Sequence, residues 1–208
     1  MKNSLPFFPL NIVVFPGEQL NLHVFEPRYI ELLKDCILNK SNFCIPSYVN
    51  NKIEYGTEVR LLEVDKNYDD GRADIKTVGE RVVKIERMNN PFEDKLYAVG
   101  EVTFLENRGN GDKLIREKLK VLLLELFELI EVDNVNIDDD FSVFDVGHKI
   151  GLSKELEYEL LLIKDELTRQ KFLLIHLEVI IPKLRDINKT KAKIKMNGHF
   201  RKYDPLDF

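Results

Sequence analysis

The chain has 208 residues, of which 44% are hydrophobic and 32% are charged, and its formal net charge is −5 at pH 7. This composition is typical of a folded globular protein and excludes a disordered chain. The longest apolar runs are far shorter than the roughly 20 residues that cross a bilayer, and two prolines interrupt the apolar stretch after Met1-Lys2. We therefore predict a cytoplasmic protein that does not bind a membrane.

Residues 5–29 predict two strands, a turn and the start of a helix. Apolar and polar residues alternate over residues 20–25, which indicates a strand, and Pro16-Gly17 indicates the turn before it. Pro27 suits the first position of a helix, and Glu26 places negative charge at the positive end of that helix. We expect later strands to pair with this unit.

Further short strands are predicted as far as residue 105. They occupy residues 41–49, 58–65, 72–78, 82–88 and 97–105. Asp69-Asp70-Gly71 and Gly79-Glu80-Arg81 are predicted turns, and Asn89-Asn90-Pro91 breaks the next strand. Six or seven short strands favour a small antiparallel barrel or folded sheet, covered by the first helix. The predicted class is α+β.

The composition changes at residues 107–111, and the rest of the chain is predicted to be helical. Helices are expected over residues 113–132 and 142–150, after Ser153, and in a fourth segment that Pro182 kinks or ends. The apolar stripes of these helices favour a helical bundle. The predicted division is a β subdomain at 1–108, a helical subdomain at 109–188 and a basic C-terminal tail at 189–208.

The basic tail has two interpretations. It could be an electrostatic handle for nucleic acid or another acidic partner, or a solvated end that folds back against the acidic residues 125–140. Few aromatic residues are interleaved with its lysines, so support for base stacking is weak. We favour the second interpretation.

No motif for catalysis or cofactor binding is found in the sequence. It contains no G-x-x-x-x-G-K-[ST], G-x-S-x-G, S-x-x-K or H-E-x-x-H. The four histidines, at 23, 148, 176 and 199, are scattered, and Cys36 and Cys44 have no second pair that would complete a metal site. We predict no enzyme activity, no cofactor and no metal, and a partly buried structural position for His176.

The junction between the second strand and the first helix is the candidate binding site. In one interpretation Glu26 complements the helix dipole, Arg28 pairs with a carboxylate and Tyr29 packs on the sheet. In the other, Phe25 and Tyr29 contact an extended peptide and the charges of Glu26 and Arg28 flank it. The structural interpretation is favoured, since short motifs of this kind commonly define turns.

The same stretch resembles the LON substrate-binding domain, the N-terminal domain of Lon-type ATP-dependent proteases (peptidase S16 family), which also occurs as a stand-alone protein. The resemblance rests on residues 5–10 (LPFFPL), 14–17 (VFPG) and 22–29 (LHVFEPRY), and on the later landmarks Tyr55-Gly56-Thr57, Asp70-Gly71-Arg72, Gly79-Glu80-Arg81 and Ile150-Gly151-Leu152-Ser153. It covers roughly residues 5–185. It implies a PUA-like β subdomain followed by helices.

The resemblance also implies the recognition of unfolded polypeptide without the ATPase and Ser-Lys peptidase modules that follow in full Lon proteases. The leading hypothesis is therefore a non-catalytic module that binds unfolded or degron-bearing protein, or a protease or chaperone partner, in proteolysis or quality control. One alternative is RNA binding, because PUA-like domains elsewhere bind RNA. The other is the peptidase activity of the family, for which the sequence lacks the motifs.

Overall fold

The structure is a computed structural model that describes residues 3–50, 52–133 and 135–198. The described elements are β1 (Asn3–Phe7), β2 (Gln19–Val24), α1 (Pro27–Asn39), β3 (Phe43–Pro46), β4 (Tyr55–Asn67), β5 (Ala73–Asn89), β6 (Ala98–Phe104), α2 (Lys113–Leu129), α3 (Lys154–Leu162) and α4 (Glu166–Gly198). Two short 3-10 helices, Val143–Asp145 and Gly147–Lys149, lie between α2 and α3. The predicted α+β class is confirmed.

Five of the strands close into a small barrel. The sheet order is β2-β5-β4-β3-β1-β6, and β6 also pairs with β5, which completes the ring. Strand β2 lies outside this ring and pairs with β5. The pairs are antiparallel, as predicted, except for β1 and β3, which run parallel with Phe7 beside Cys44.

The predicted turn at Gly79-Glu80-Arg81 is wrong, because these residues lie within the continuous strand β5. A Cβ atom on Gly79 would lie 2.3 Å from the carbonyl oxygen of Phe15. The backbone of Gly79 also accepts a hydrogen bond from Gly17 N (2.8 Å) and donates one to Glu18 O (2.9 Å). This glycine therefore permits a close approach of two backbones and does not mark a turn.

Helix α1 covers the barrel, as the sequence predicts. It starts at Pro27 and buries Tyr29, Leu32, Leu33 and Cys36. These side chains join a core cluster with residues of the strands, including Phe43, Ile45 and Val59. Removal of this apolar stripe from water holds α1 in place.

The later helices differ from the prediction in two places. Residues 142–150 form the two 3-10 helices instead of one α-helix, and Ser142 and Asp145 make a capping box at the first of them. Helix α4 continues through Pro182 to Gly198. Proline has no N–H, so one carbonyl of the preceding turn has no hydrogen-bond partner in the helix. Pro182 is exposed, and water can therefore bond to that carbonyl. The predicted basic tail therefore begins as helix, and its residues 199–208 lie outside the described residues.

The chain divides into two compact units. The first comprises Met1–Asn110 and Ser142–Arg169, and the second comprises Gly111–Phe141 and Gln170–Phe208. The sequence analysis placed residues 142–169 in the helical subdomain, whereas their contacts group them with the strands. Arg169 is one reason, since its guanidinium donates to Asn107 in the first part of the unit (2.7 Å) while it also bonds to Glu166 (2.8 Å) and to the Ile163 carbonyl (2.8 Å).

In the second unit, side chains of α2 bond to side chains of α4. Lys118 pairs with Glu178 at 2.8 Å, and Arg185 Nε donates to Glu125 at 2.6 Å. The amide of Asn188 donates to the Leu129 carbonyl at 2.8 Å. The partners follow one another in the same order along both helices, so the two helices run parallel.

Phe15 is enclosed within the first unit. Its side chain is fully buried, and its ring stacks on Phe144 with the centroids 5.1 Å apart. A Cβ atom on Gly147 would lie 2.4 Å from this ring. The ring of His148 lies 4.5 Å from it, centroid to centroid. The segment between β1 and β2 is thus packed against the 3-10 helices.

Two carboxylates fix His148 beside this ring. Its Nε2 lies 3.0 Å from Glu18 Oε2, and its Nδ1 lies 2.7 Å from Glu157 Oε1. Glu18 Oε2 also accepts from the backbone N–H of Phe15 at 2.8 Å. The hydrogen bond with Glu18, joined by that with Glu157, raises the pKa of His148 from its ordinary value of 6.5 to about 9.

We expect Gly147→Ala to destabilise the protein by about 1–3 kcal/mol, because the new methyl group would overlap the buried ring of Phe15. Urea unfolding followed by circular dichroism measures this loss. Gly109→Ala is the control, since nothing lies within 4 Å of the Cβ position at Gly109. Equal stability of the two variants would contradict the packing described for Phe15.

The ion pairs of His148 predict a pH dependence of stability. Because the pKa is raised in the folded state, the stabilisation is complete below about pH 6.5 and is lost as the pH rises through about 9. After allowance for solvent screening of the partly exposed ring, we expect about 1–2 kcal/mol. Urea unfolding at several pH values should show this decline. It should be smaller in His148→Gln and in Glu157→Gln, and an undiminished decline in His148→Gln would refute the assignment.

Candidate functional site

A small pocket lies in the first unit, between the start of α1 and the segment that joins β5 to β6. Its volume is about 120 Å³. It is lined by Phe7, Pro9, Arg28, Tyr29, Pro46, Ile53, Met88, Asn90, Leu96, Tyr97 and Ala98. Small-molecule and cofactor sites have volumes of roughly 300 Å³ or more. The pocket therefore matches a single amino-acid side chain better than a cofactor.

The segment before β6 is bonded to α1, and these bonds set the shape of the pocket. The hydroxyl of Tyr97 donates to Asp35 at 2.7 Å, and Lys95 pairs with the same carboxylate at 2.7 Å. The backbone N–H of Leu96 donates to Glu31 at 2.9 Å. The hydrogen bonds from Lys95 and then Tyr97 lower the pKa of Asp35, so this carboxylate stays ionised at neutral pH.

Arg28 and Tyr29, two of the four predicted site residues, line this pocket. The guanidinium of Arg28 lies 4.5 Å from the centroid of the Tyr29 ring, and its Nε donates to Glu26 at 2.9 Å. The ring of Tyr29 is buried, with its centroid 4.2 Å from that of Phe8, and burial raises the pKa of its hydroxyl. Arg28 is half exposed, so its positive charge lies at the mouth of an apolar pocket.

The other two predicted residues do not line the pocket. Glu26 is the N-cap residue of α1, where its side chain makes no capping hydrogen bond and pairs with Arg28. Phe25 is 59% exposed, and its ring stacks on His23 at 5.9 Å. The contacts that the structural interpretation expected of Arg28 and Tyr29 are therefore present. Peptide binding by these four residues stays a prediction.

The sequence analysis missed the side chains that make the pocket apolar at its rim. Met88 and Leu96 are 47% and 59% exposed, although both are large apolar residues. Met88 lies at the end of β5 and Leu96 in the following segment, which the sequence shows only as a break at Asn89-Asn90-Pro91. No local pattern connects these residues with Arg28, which is far away in the sequence.

Glu18, His148 and Glu157 form a second group of side chains that the sequence did not bring together. Their hydrogen bonds join residues up to 130 positions apart in the chain, and no motif in the sequence predicts these bonds. The group supports the packing of Phe15. Across the part of the chain that the structure describes, no three His, Cys, Asp or Glu side chains are placed to hold a metal ion. Within the same ranges, no helix has the length and apolar character needed to cross a membrane.

Comparisons with solved structures support the fold. A Lon N-terminal domain protein from Xanthomonas campestris is similar with 27% sequence identity and a TM-score of 0.64, over 83% of this chain and 98% of that chain. The N-terminal domain of Mycobacterium avium complex Lon protease is similar in fold, with 18% identity and a TM-score of 0.64, over 85% of this chain and 99% of that chain. A comparison with curated proteins found no match.

One family model matches most of the sequence. It describes the ATP-dependent protease La (LON) substrate-binding domain, and it aligns with residues 4–188. The match includes both parts of the first unit, the apolar pocket and most of α4. The chain belongs to the LON substrate-binding domain family.

Proposed function

We propose that the chain binds unfolded or degron-bearing polypeptide without cleaving it, in a pathway of proteolysis or protein quality control. The observation that supports this most directly is the pocket at Arg28 and Tyr29, which has an apolar rim and the volume of one side chain. The family to which the chain belongs is defined by substrate binding. An apolar side chain of a client would enter the pocket, and unfolded proteins expose many such side chains.

The exposed rim carries the argument for a protein ligand. Met88 and Leu96 are exposed and both line the pocket, so they present apolar surface to water beside a concave site, and such apolar surface is a common mark of an interaction site. Burial of this apolar surface against a client would stabilise the complex by about 25 cal/mol for each Å² that is removed from water. The guanidinium of Arg28 would orient the client by binding a backbone carbonyl or a carboxylate beside the apolar side chain.

The RNA-binding alternative has less support from the charges of the sheet. Several of its basic side chains are paired with carboxylates: Arg60 with Glu80 at 2.5 Å, Lys76 with Glu63 at 2.6 Å and Arg81 with Glu58 at 2.6 Å. Cations that are already neutralised release few counterions from a phosphate backbone. We therefore retain polypeptide binding as the function.

We expect Leu96→Glu to weaken binding of a permanently unfolded protein, such as reduced and carboxymethylated lactalbumin, by about tenfold or more, because a carboxylate at the rim opposes entry of an apolar side chain. Fluorescence anisotropy of the labelled protein measures the affinity. Leu38→Glu is the matched control, because Leu38 is 80% exposed on α1 and does not line the pocket. Equal affinities for the two variants would exclude the pocket as the binding site.

The proposal also predicts that bound polypeptide stays intact. Casein incubated with the purified protein at several pH values, with and without ATP, should yield no fragments by gel electrophoresis or mass spectrometry. Fragments that disappear when a residue of this chain is substituted would disprove non-catalytic binding. A parallel filter-binding titration should detect no salt-dependent affinity for RNA.

A further inference from the structure

Strand β2 has one unpaired edge. It pairs with β5, and within residues 3–50, 52–133 and 135–198 no other backbone bonds to Gln19–Val24. The carbonyls of Glu18 and Leu20 face β5, since they accept from Gly79 N (2.9 Å) and Thr77 Oγ1 (3.1 Å). Backbone groups alternate in direction along an antiparallel strand, so those of Gln19, Asn21 and His23 point away from the sheet.

This edge lacks the features with which proteins usually block the addition of another strand. The sequence of β2, QLNLHV, contains no lysine and no proline. Its six residue pairs with β5 follow without a bulge, whereas the register of β4 and β5 shifts at three places. Edge strands of natural proteins commonly carry lysine, proline or a bulge that prevents pairing with another chain.

The side chains of β2 that point toward the core, on its inner face, are only partly covered by the rest of the protein. Leu20 and Leu22 are partly buried, and with Ile30 of α1 they pack on the outside of the main core cluster. A strand added beside β2 would place alternate side chains next to Leu20 and Leu22. Apolar residues at those positions would complete the cover.

The outer face has a different character. Asn21, His23, Asp65, Asp74 and Lys76 contribute to a depression of about 300 Å³. His23 Nδ1 lies 2.5 Å from Asp74, and Lys76 bonds to Asp65 at 3.0 Å and to Glu63 at 2.6 Å. Three carboxylates thus face one histidine and the ammonium group of Lys76, and the ammonium group of Lys66 also acts on Asp74. This charge complements lysine or arginine on the outer face of an added strand.

We infer that β2 binds an extended segment of an unfolded polypeptide as an additional strand. The apolar residues of the segment face Leu20 and Leu22, and its lysine or arginine residues lie over the depression lined by Asp65 and Asp74. The segment forms backbone hydrogen bonds with Gln19, Asn21 and His23, and Phe25 extends the contact at the end of β2. The inference rests on the proposed function, because its ligand is a polypeptide, and it adds a binding mode that depends on the backbone of the client.

The first test uses a fluorescein-labelled eight-residue peptide that alternates valine with lysine. Asn21→Pro should weaken its binding at least tenfold, since proline has no N–H to donate and is tolerated on an edge strand where that N–H faces solvent. Asn21→Thr, which keeps the N–H, should bind within about twofold of the unmodified protein. A peptide with glutamate in place of lysine should bind more weakly. Unfolding midpoints in urea establish that both variants are folded.

The second test modifies the peptide and needs no variant of the protein. Methylation of the backbone nitrogens at alternate residues removes donors from one edge of the peptide. Methylation of the edge that faces β2 should abolish binding, and methylation of the opposite edge should preserve it. If both methylated peptides bind as the parent does, or lose affinity equally, strand addition is overturned.

Two further outcomes separate this inference from the proposed function. If unfolded lactalbumin binds in a way that depends on Leu96, while Asn21→Pro and both methylated peptides leave binding unchanged, strand addition fails and the proposed function stands. If neither lactalbumin nor the peptide binds, the proposed function fails as well. A dimer by light scattering that Asn21→Pro dissociates and the peptide does not disrupt would assign the edge to a second copy of the chain and overturn the inference.

Discussion

Phe15 lies between two positions that must lack a side chain. Gly79 of β5 lies against its backbone carbonyl, and Gly147 of the second 3-10 helix lies against its ring. Glu18, His148 and Glu157 then bond the surrounding segments together. Because a well-packed interior tolerates little added volume, the segment between β1 and β2 cannot move without disturbing both β5 and residues 142–149. The attachment of residues 142–149 to the strands depends on this contact.

Buried charges are satisfied in the same unit. Glu166 accepts from Arg169 and from the backbone N–H of Val143, and Glu58 accepts from Arg81 and Asn42. Hydrogen-bonded charge pairs of this kind fix the way in which two segments pack together. Removing only one partner would leave the other charge buried and unpaired, which destabilises the fold. These charged groups therefore have a structural role. The features that we propose for recognition are the apolar pocket at Arg28 and Tyr29 and the free edge of β2.

These two features suit a protein that must accept many sequences. A pocket for one apolar side chain would select a common property of unfolded polypeptide, and a strand edge would bond to the backbone that all polypeptides share. The pocket would accept any apolar side chain of suitable size, and the strand edge would favour basic residues only on the outer face of the ligand. Both lie on elements whose positions are set by the barrel and by α1, which matches the general pattern of binding surfaces placed on a rigid scaffold. This is the behaviour expected of a member of a substrate-binding family.

The sequence alone determined the α+β class, β2 and the start of α1 at Pro27, because these follow from periodicity and from residues with local conformational preferences. Only the tertiary structure decided that Gly79 lies within a strand, that residues 142–169 belong with the barrel and that Met88 and Leu96 flank Arg28. The same is true of the group formed by Glu18, His148 and Glu157. Each of these results depends on contacts between segments far apart in the chain, and local patterns carry no information about such contacts.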